Sequence, residues 1–455
     1  MPFTAGVARR VITPPWGVEL AGLGYYLERT WQAVRDDLAA TALVVCDEKG
    51  RGAALVAADL MYNDKRFVAA IREQVAAHTT IPPQAVCVNF SHSHNAPTVG
   101  FIRGCGAQDV EYVRFVARQI SSAVITAFHA RRPAQLYVGW ADLPGLTENR
   151  TRANGPLDTR LSVLRADEES GKPLALAVNF HAHPCVHMEV DLRAVSRDVP
   201  GEVIDQLEAA LPGVTAMYLQ GNCGDVNFRP EYRATARRFE PARALTGAAL
   251  EAFARARPID APGAEALTRT LALPTRRWTR QEISAEREEG LYRLQTGDTT
   301  GWLDGVARVC VNEPQRLPLR YQGSVEKTVA AVSRFAVEWT EQALADLDTR
   351  PETLSTDVQA MRIGDVYFAA HGSELFSSLG LSLRRSWPLD DLFILGYSND
   401  GIGYMPDEYD VARRSYAALN SPKFTGQFPF TAASGPALVE GLRQTLEDCR
   451  LPIDD

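Results

Sequence analysis

The segment LALAVNFHAHP, residues 174–184, joins an apolar run to two histidines and a proline. Such a run predicts a buried strand that ends where the polar residues begin. Three more apolar runs break off into polar turns in the same way; these runs are 85–90, 214–219 and 366–370, and their turns are 91–95, 221–225 and 371–374. The economical interpretation is that these strands lie in a common core and that their turns converge on one metal-centred site.

The rest of the chain alternates between helical and strand-like patterns. Helical periodicity is found at 65–78, 110–130, 201–211, 241–254, 325–347 and 436–446, and further strand-like runs at 53–60, 135–140, 161–165, 354–363 and 392–397. This interleaving predicts an α/β or mixed α+β fold, which we take as one large catalytic domain spanning 1–455. The exception is 276–319, a charged stretch with Trp278 and Trp302, which we interpret as a surface insertion or a lid over the site.

Composition excludes several classes of function. The 455 residues carry a net charge of −8 without long charged runs, which argues against nucleic-acid binding, and no stretch is apolar enough to span a membrane. The first residues lack the apolar core of a signal peptide. We therefore expect a cytoplasmic protein that acts on a small-molecule substrate without integral membrane association, and a homo-oligomer remains possible.

The seven cysteines are odd in number and dispersed, which favours reduced thiols over a disulfide framework. Cys223 lies inside the turn 221–225 and has two interpretations. It is either a small buried side chain or a thiolate that acts as ligand or nucleophile, and the first is the commoner situation for a free cysteine.

The histidines of the turns suggest a zinc site. His92 and His94 occupy alternate positions, and His181 and His183 repeat the pattern. A single histidine is more often structural, but two such pairs at strand ends favour metal binding. Zinc takes neutral imidazoles together with a carboxylate, which Glu374 can supply.

Two other turns carry polar groups that suit the surroundings of a metal. In 221–225, Asp225 is expected to orient a ligand imidazole, although an ordinary strand-ending turn is the alternative. Tyr404 follows two nearby glycines and could reach the metal or polarise a carbonyl, although packing is the commoner role of an isolated tyrosine.

The order of these blocks resembles the neutral, non-lysosomal ceramidase family. The matching blocks are SHSHNAP (91–97), NR (149–150), VNFHAHP (178–184), VSRDVPG (195–201), QGNCGDV (220–226), GSE (372–374) and YSNDGIGY (397–404). The resemblance implies one zinc per chain, held by His92, His183, Glu374 and Tyr404. It also implies that His94 lies beside the substrate carbonyl.

Two departures from the family bear on function. Asn227 stands where the family has a serine proposed as nucleophile or substrate contact, and the chain stops at Asp455, so we expect no carboxyl-terminal immunoglobulin-like domain. Both departures argue against ceramide as the substrate more than they argue against hydrolytic chemistry.

The sequence thus predicts a zinc-dependent hydrolase that uses activated water. The bond it favours is the amide bond of a small soluble N-acyl compound. The predicted catalytic residues are His94, Asp225, Asn227 and Tyr404, and the predicted substrate-binding residues are His94, Asn222 and Arg150. Cleavage of an ester or glycosidic bond is one alternative. A relative that binds zinc or a ligand without catalysis is the other.

Overall fold

The computed structural model describes residues 3–188, 190–233, 236–308 and 311–450. The strands are β1 (Phe3–Val11), β2 (Ala33–Val34), β3 (Ala39–Asp47), β4 (Gly52–Ala58), β5 (Val86–Phe90), β6 (Arg132–Asp142), β7 (Thr147–Asn149), β8 (Arg160–Glu168), β9 (Pro173–Phe180), β10 (Ala194–Val195), β11 (Thr215–Gln220), β12 (Val226–Phe228), β13 (Arg257–Pro258), β14 (Ala264–Pro274), β15 (Thr353–Ile363), β16 (Val366–His371), β17 (Glu374–Leu375), β18 (Leu392–Leu395) and β19 (Tyr404–Met405).

The helices interleave with these strands. They are α1 (Lys65–His78), α2 (Val110–His129), α3 (Asp198–Ala210), α4 (Glu240–Arg255), α5 (Arg280–Thr296), α6 (Val325–Asp346), α7 (Ser377–Ser386), α8 (Glu408–Ala412), α9 (Ser421–Thr425) and α10 (Ser434–Arg450). Shorter helical turns span Pro83–Ala85, Pro230–Arg233, Pro314–Tyr321 and Tyr416–Asn420. All six helices and all nine strands predicted from the sequence are present, with shifts of a few residues at their ends.

The larger sheet is mixed. Its strands follow the order β11-β9-β8-β6-β1-β3-β4-β5, and β13 adds to β6. The centre is antiparallel, whereas β4 pairs with β5 and β9 pairs with β11 in parallel. The parallel pairs at the two ends leave the carboxyl ends of β5, β9 and β11 free to carry functional turns.

A second sheet, with the order β14-β15-β16-β18, packs face to face on the first. Phe3, Leu55 and Leu136 of the larger sheet share a buried apolar cluster with Met361 and Phe368 of the smaller one. Two sheets that bury their inner faces against each other form a sandwich core.

Helices cover both outer faces of this sandwich. Apolar residues of α1, α2, α3 and α4 share one buried cluster with the outer face of the larger sheet. The smaller sheet is covered by α7 and α10, through residues such as Leu383, Leu438 and Leu442. The molecule therefore has four layers, helix–sheet–sheet–helix, which confirms the predicted mixed α/β architecture. The described residues include no immunoglobulin-like domain.

The segment 276–319 is more ordered than its composition indicates. It contains α5, which begins with a capping box between Thr279 and Glu282 and packs on α6. Trp278 and Trp302 are buried in the apolar cluster between these helices, together with Trp339 of α6. The tryptophans therefore stabilise the packing of α5 on α6. The role of this segment as a lid remains a prediction.

No helix in the described part of the chain is both long enough and apolar enough to cross a membrane.

Candidate metal centre

The polar turns converge as predicted. His92 follows β5, His183 follows β9, and Glu374 lies on β17 just beyond β16. His183 also pairs with Asn227 through an isolated parallel bridge, and its backbone N–H donates to the carbonyl of Val226 at 3.0 Å. The strands from both sheets thus bring their carboxyl-end turns to one place.

Three imidazoles form a compact group at this place. Ring nitrogens of His92, His94 and His183 lie within 4.8 Å of one another. His92 is held by its Nδ1, which donates to the carbonyl of Met61 at 2.7 Å, and it adopts a φ of 63°, which is unusual outside glycine. His183 is held in the same way by the carbonyl of Cys223 at 2.5 Å.

These backbone contacts determine which ring nitrogens remain available. Because Nδ1 of His92 and of His183 faces a carbonyl oxygen, Nδ1 carries the proton and Nε2 keeps its lone pair. Both Nε2 atoms are buried and have no hydrogen-bond partner among the described residues, and the same is true of both ring nitrogens of His94. Buried nitrogen lone pairs without a partner are what a metal ion satisfies.

Glu374 completes the group with a carboxylate. Its Oε2 atom lies 3.4 Å from Nε2 of His92 and 3.4 Å from Nε2 of His183. Burial by itself raises the pKa of Glu374, but the two histidines outweigh it and hold that pKa well below the usual range. Glu374 is therefore ionised at neutral pH.

His183 and His94 are neutral under the same conditions. Burial, with a further contribution from Arg150, lowers the pKa of His183 to about 4. Burial also lowers the pKa of His94 well below its ordinary value, and the neighbouring histidines add to this effect. Neutral imidazoles beside an ionised carboxylate are in the protonation states that a divalent cation requires.

Tyr404 lies beside this group, as predicted. It is the register partner of Glu374 in the parallel pair of β17 and β19, and its ring stacks on His183 with a centroid distance of 6.5 Å. The Tyr404 hydroxyl accepts a hydrogen bond of 2.7 Å from Nη2 of Arg150, which also donates to the carbonyl of Gly224. Arg150 therefore contacts Tyr404, and both residues belong to the site.

His181, the first histidine of the 181–183 pair, does not join the metal group. The chain leaves the strand at Phe180, so the alternation of a strand no longer applies, and His181 faces Asp158 at 3.5 Å instead. Asn222 belongs with His181, because its N–H donates to Nδ1 of His181 and its Oδ1 accepts from His371, both at 2.9 Å. Asn222 is fully buried in this network and does not contact the imidazoles of the metal group.

Asp225 has a different role from the predicted one. Its Oδ1 accepts from the backbone N–H and the hydroxyl of Ser377, at 2.7 and 2.8 Å, and its Oδ2 accepts from Asn149 at 2.6 Å. His92 and His183 are oriented by backbone carbonyls, and the carboxylate of Asp225 bonds to Ser377 and Asn149, so the expectation that Asp225 orients a ligand imidazole was wrong. Asp225 instead joins the start of α7, just beyond Glu374, to the residue before Arg150.

Tyr397 had no predicted role, and Cys223 had two alternative interpretations. Tyr397 is buried against His92, with ring centroids 4.3 Å apart, and its hydroxyl donates to Oε2 of Glu374 at 3.3 Å. Cys223 lies 3.0 Å from the same hydroxyl, and burial raises the pKa of its thiol well above 9. Cys223 is therefore a neutral, buried thiol, which supports the structural interpretation. The sequence signals for Tyr397 are its position at the end of a predicted strand and its place in the family block 397–404.

Comparison with known proteins identifies the fold. No family model and no curated protein matches the chain. The crystal structure of neutral ceramidase from Pseudomonas aeruginosa aligns with a TM-score of 0.72, over 100% of this chain and 76% of that chain, at 16% sequence identity. The chain has the neutral ceramidase fold. A ceramidase complexed with C2 gives a TM-score of 0.71 with the same identity and coverage.

The family resemblance drawn from the sequence blocks is thus confirmed at the level of the fold. The predicted metal ligands His92, His183, Glu374 and Tyr404 lie together, with His94 as a neighbour that the structure also groups with the imidazoles. Arg150 and Asn227 border the same site. Asn222 and Asp225 make their hydrogen bonds to neighbouring residues outside the metal group.

Proposed function

We propose that the protein is a zinc-dependent hydrolase that cleaves an amide bond in a small N-acyl compound. The observation that carries this proposal is the set of unpartnered ring nitrogens of His92, His94 and His183 beside the ionised carboxylate of Glu374. The ceramidase fold supports an amide as the scissile bond.

The donor set fits a divalent cation. His92, His183 and Glu374 would hold it, with the phenol of Tyr404 as a further ligand, and a mixed nitrogen and oxygen set with an open position is typical of catalytic zinc. When bound, the cation supplies a Lewis acid for a carbonyl oxygen and makes water acidic enough to attack at neutral pH.

His94 and Arg150 would act on the substrate side. His94 is neutral and neither of its buried ring nitrogens has a partner, so one N–H can donate to the oxygen of a tetrahedral species. Arg150 donates to the Tyr404 hydroxyl and thereby fixes the direction of the phenol.

The surroundings of Asn227 favour direct attack by water. Its carboxamide cannot accept an acyl group, and it lies on β12 beside His183. The other nucleophiles are committed elsewhere, because the Ser93 hydroxyl donates to the carbonyl of Ser196 at 2.6 Å and the Ser373 hydroxyl bonds to His371 at 2.9 Å. Asn227, Ser93 and Ser373 therefore offer no free nucleophile for an acyl-enzyme.

A substrate panel tests the proposal. Zinc-loaded protein is assayed on short-chain N-acyl amides, on the corresponding esters, on aryl glycosides, and on long-chain ceramide in detergent. We expect the short-chain amides to give the highest kcat/KM, and chelation followed by zinc replacement to abolish and restore turnover. A preference for ceramide would restore the literal family substrate, and no turnover of any amide or ester by the zinc-loaded protein would overturn the proposal.

A further inference from the structure

Three arginines near the metal centre have no carboxylate partner. In the part of the chain that the structure describes, no Asp or Glu oxygen lies within 4.0 Å of a side-chain nitrogen of Arg29, Arg150 or Arg320. Their hydrogen bonds go to backbone carbonyls and to one phenol. Since the chain as a whole carries a net charge of −8, three arginines without a carboxylate contact beside the site call for an explanation.

Arg29 is the most deeply placed of the three. Only 3% of its surface is exposed, and its guanidinium donates to the carbonyls of Leu192, Ala21 and His94, the last at 2.6 Å. Burial lowers the pKa of Arg29 to about 10, so it stays charged at neutral pH. A buried charge with only neutral partners is costly, and a nearby anion reduces that cost.

Arg320 belongs to the helical turn Pro314–Tyr321, which docks on the loop around residue 24. Its Nη1 donates to the carbonyl of Gly24 at 2.9 Å, and the next residue, Tyr321, exchanges hydrogen bonds with the backbone of Tyr25. The same loop contacts the metal centre, because a Cβ on Gly22 would lie 2.9 Å from the ring of His94. Arg320 therefore binds the loop at Gly24, two residues along the chain from Gly22, which contacts His94.

Tyr416 connects the surroundings of Arg150 with the loop that Arg320 contacts. Its ring packs edge-on against Tyr404 at 5.5 Å, and its hydroxyl has no hydrogen-bond partner among the described residues. The ring of Tyr416 also lies 6.4 Å from that of Phe424, and a Cβ on Gly24, whose carbonyl accepts from Arg320, would lie 3.2 Å from Phe424. The partly exposed phenol of Tyr416 therefore links Tyr404, the partner of Arg150, to the loop that Arg320 contacts.

We propose that the side of the site from Arg150 past Tyr416 to Arg320 is an anion subsite, and that the substrate carries a carboxylate or a similar small anion near its scissile amide. The inference rests on the proposed function and narrows its substrate class. Arg320 and the Tyr416 hydroxyl would donate hydrogen bonds to the anion, and the buried Arg29 would add positive charge without contacting it. A neutral long-chain amide would leave these donors and the positive charge unused.

An anion can lie on either side of the amide bond, and the two arrangements define two substrate types. In an N-acyl amino acid the carboxylate belongs to the amine product, and in a monoamide of a dicarboxylic acid it belongs to the acyl product. N-hexanoylglycine and N-hexylsuccinamate represent the two types. N-hexanoylglycinamide and N-hexyl-butanamide are their neutral counterparts.

The test compares each acid with its neutral counterpart in wild-type protein and in Arg320→Ala. We expect wild type to favour at least one acid by about tenfold to a hundredfold in kcat/KM, mainly through KM, and Arg320→Ala to remove most of that preference. Arg316→Ala is the matched control, because Arg316 lies on the same helical turn, is exposed and pairs with Glu313. It is expected to keep the preference.

Calorimetric binding separates failure of the subsite from failure of the proposed function. The four compounds are titrated into His183→Ala, which is expected not to turn them over, and into the same variant carrying Arg320→Ala. Tighter binding of an acid that Arg320→Ala weakens supports the subsite even if no amide is cleaved. Equal binding of acids and neutral compounds, or a preference that survives Arg320→Ala, would overturn the inference whatever the catalytic result.

Discussion

The hydroxyl of Tyr397 donates to Oε2 of Glu374 at 3.3 Å, and this is the oxygen that faces the two histidines. If Glu374 is a metal ligand as proposed, this hydrogen bond fixes the direction of the carboxylate that would bind the metal. Partners of this kind are worth about tenfold to a hundredfold in metal affinity.

Tyr397→Phe is therefore expected to lower zinc affinity by about tenfold to a hundredfold while the fold is retained. Competition with a chromophoric chelator measures the affinity, and circular dichroism checks the fold. Tyr218→Phe is the control, because Tyr218 is also buried but its hydroxyl makes no hydrogen bond among the described residues. Equal zinc affinity in wild type and Tyr397→Phe would contradict the assigned role.

Tyr404→Phe tests whether the phenol takes part in metal binding. Its hydroxyl contacts Arg150, and Tyr404 is the strand partner of Glu374. We expect weaker zinc retention or slower turnover, with unfolding by urea little changed. Tyr409→Phe, at an exposed position on α8, is expected to behave as wild type. If both variants match wild type in zinc content and rate, Tyr404 has a packing role only.

Much of the fold was predictable because apolar runs and helical periodicity are local. Among the long strands, β1, β3 and β14 were not predicted, and β1 shows why. Arg9 and Arg10 look unsuited to a central strand, but Arg9 pairs with Glu208 and Arg10 donates to Ser122 and Thr126, so distant residues satisfy them. Similarly, α5 has no apolar stripe in its sequence, and its helical state depends on its capping box and on packing against α6.

The site was predictable at the level of turns and less so at the level of side chains. His92, His183 and Glu374 were identified because their blocks keep a family order. The divergence of His181 from His183, the backbone partners of the imidazoles and the position of Tyr397 all depend on how the chain bends after each strand. No local pattern contains that information, so these features required the structure.

Asp225 offers a test through pH. Burial raises its pKa from 3.8 to about 6. Because the folded protein holds this proton more tightly than the unfolded chain, the stabilisation is complete below about pH 4 and is lost as the pH rises to about 6. Asp225→Asn has no such group. As the pH rises from 4 to 6, the unfolding free energy of wild type is therefore expected to fall relative to that of Asp225→Asn. Urea unfolding of both proteins at pH 4, 5, 6 and 7 measures it, and parallel pH profiles would contradict the assignment.

The mechanism is tested by looking for a covalent intermediate. Since Asn227 cannot be acylated, and Ser93, Ser373 and Cys223 are buried in other hydrogen bonds, we expect no acyl adduct during a single turnover. Rapid acid quench followed by intact-protein mass spectrometry provides the measurement. An adduct that forms and decays at the rate of turnover would show that attack by water is not direct. Asn227→Ala is expected to slow kcat by about a hundredfold to a thousandfold if its amide faces the oxyanion.

The central claim is that His92, His183 and Glu374 hold one catalytic zinc, and elemental analysis of the purified protein tests it most directly. Inductively coupled plasma mass spectrometry is applied to wild type, to His183→Ala and to His129→Ala, whose exposed histidine ends α2 far along the chain from the predicted ligands. The account predicts about one zinc per chain in wild type and in His129→Ala, and almost none in folded His183→Ala. A folded wild-type protein that binds no transition metal after dialysis against zinc, or His183→Ala with undiminished zinc, would contradict it.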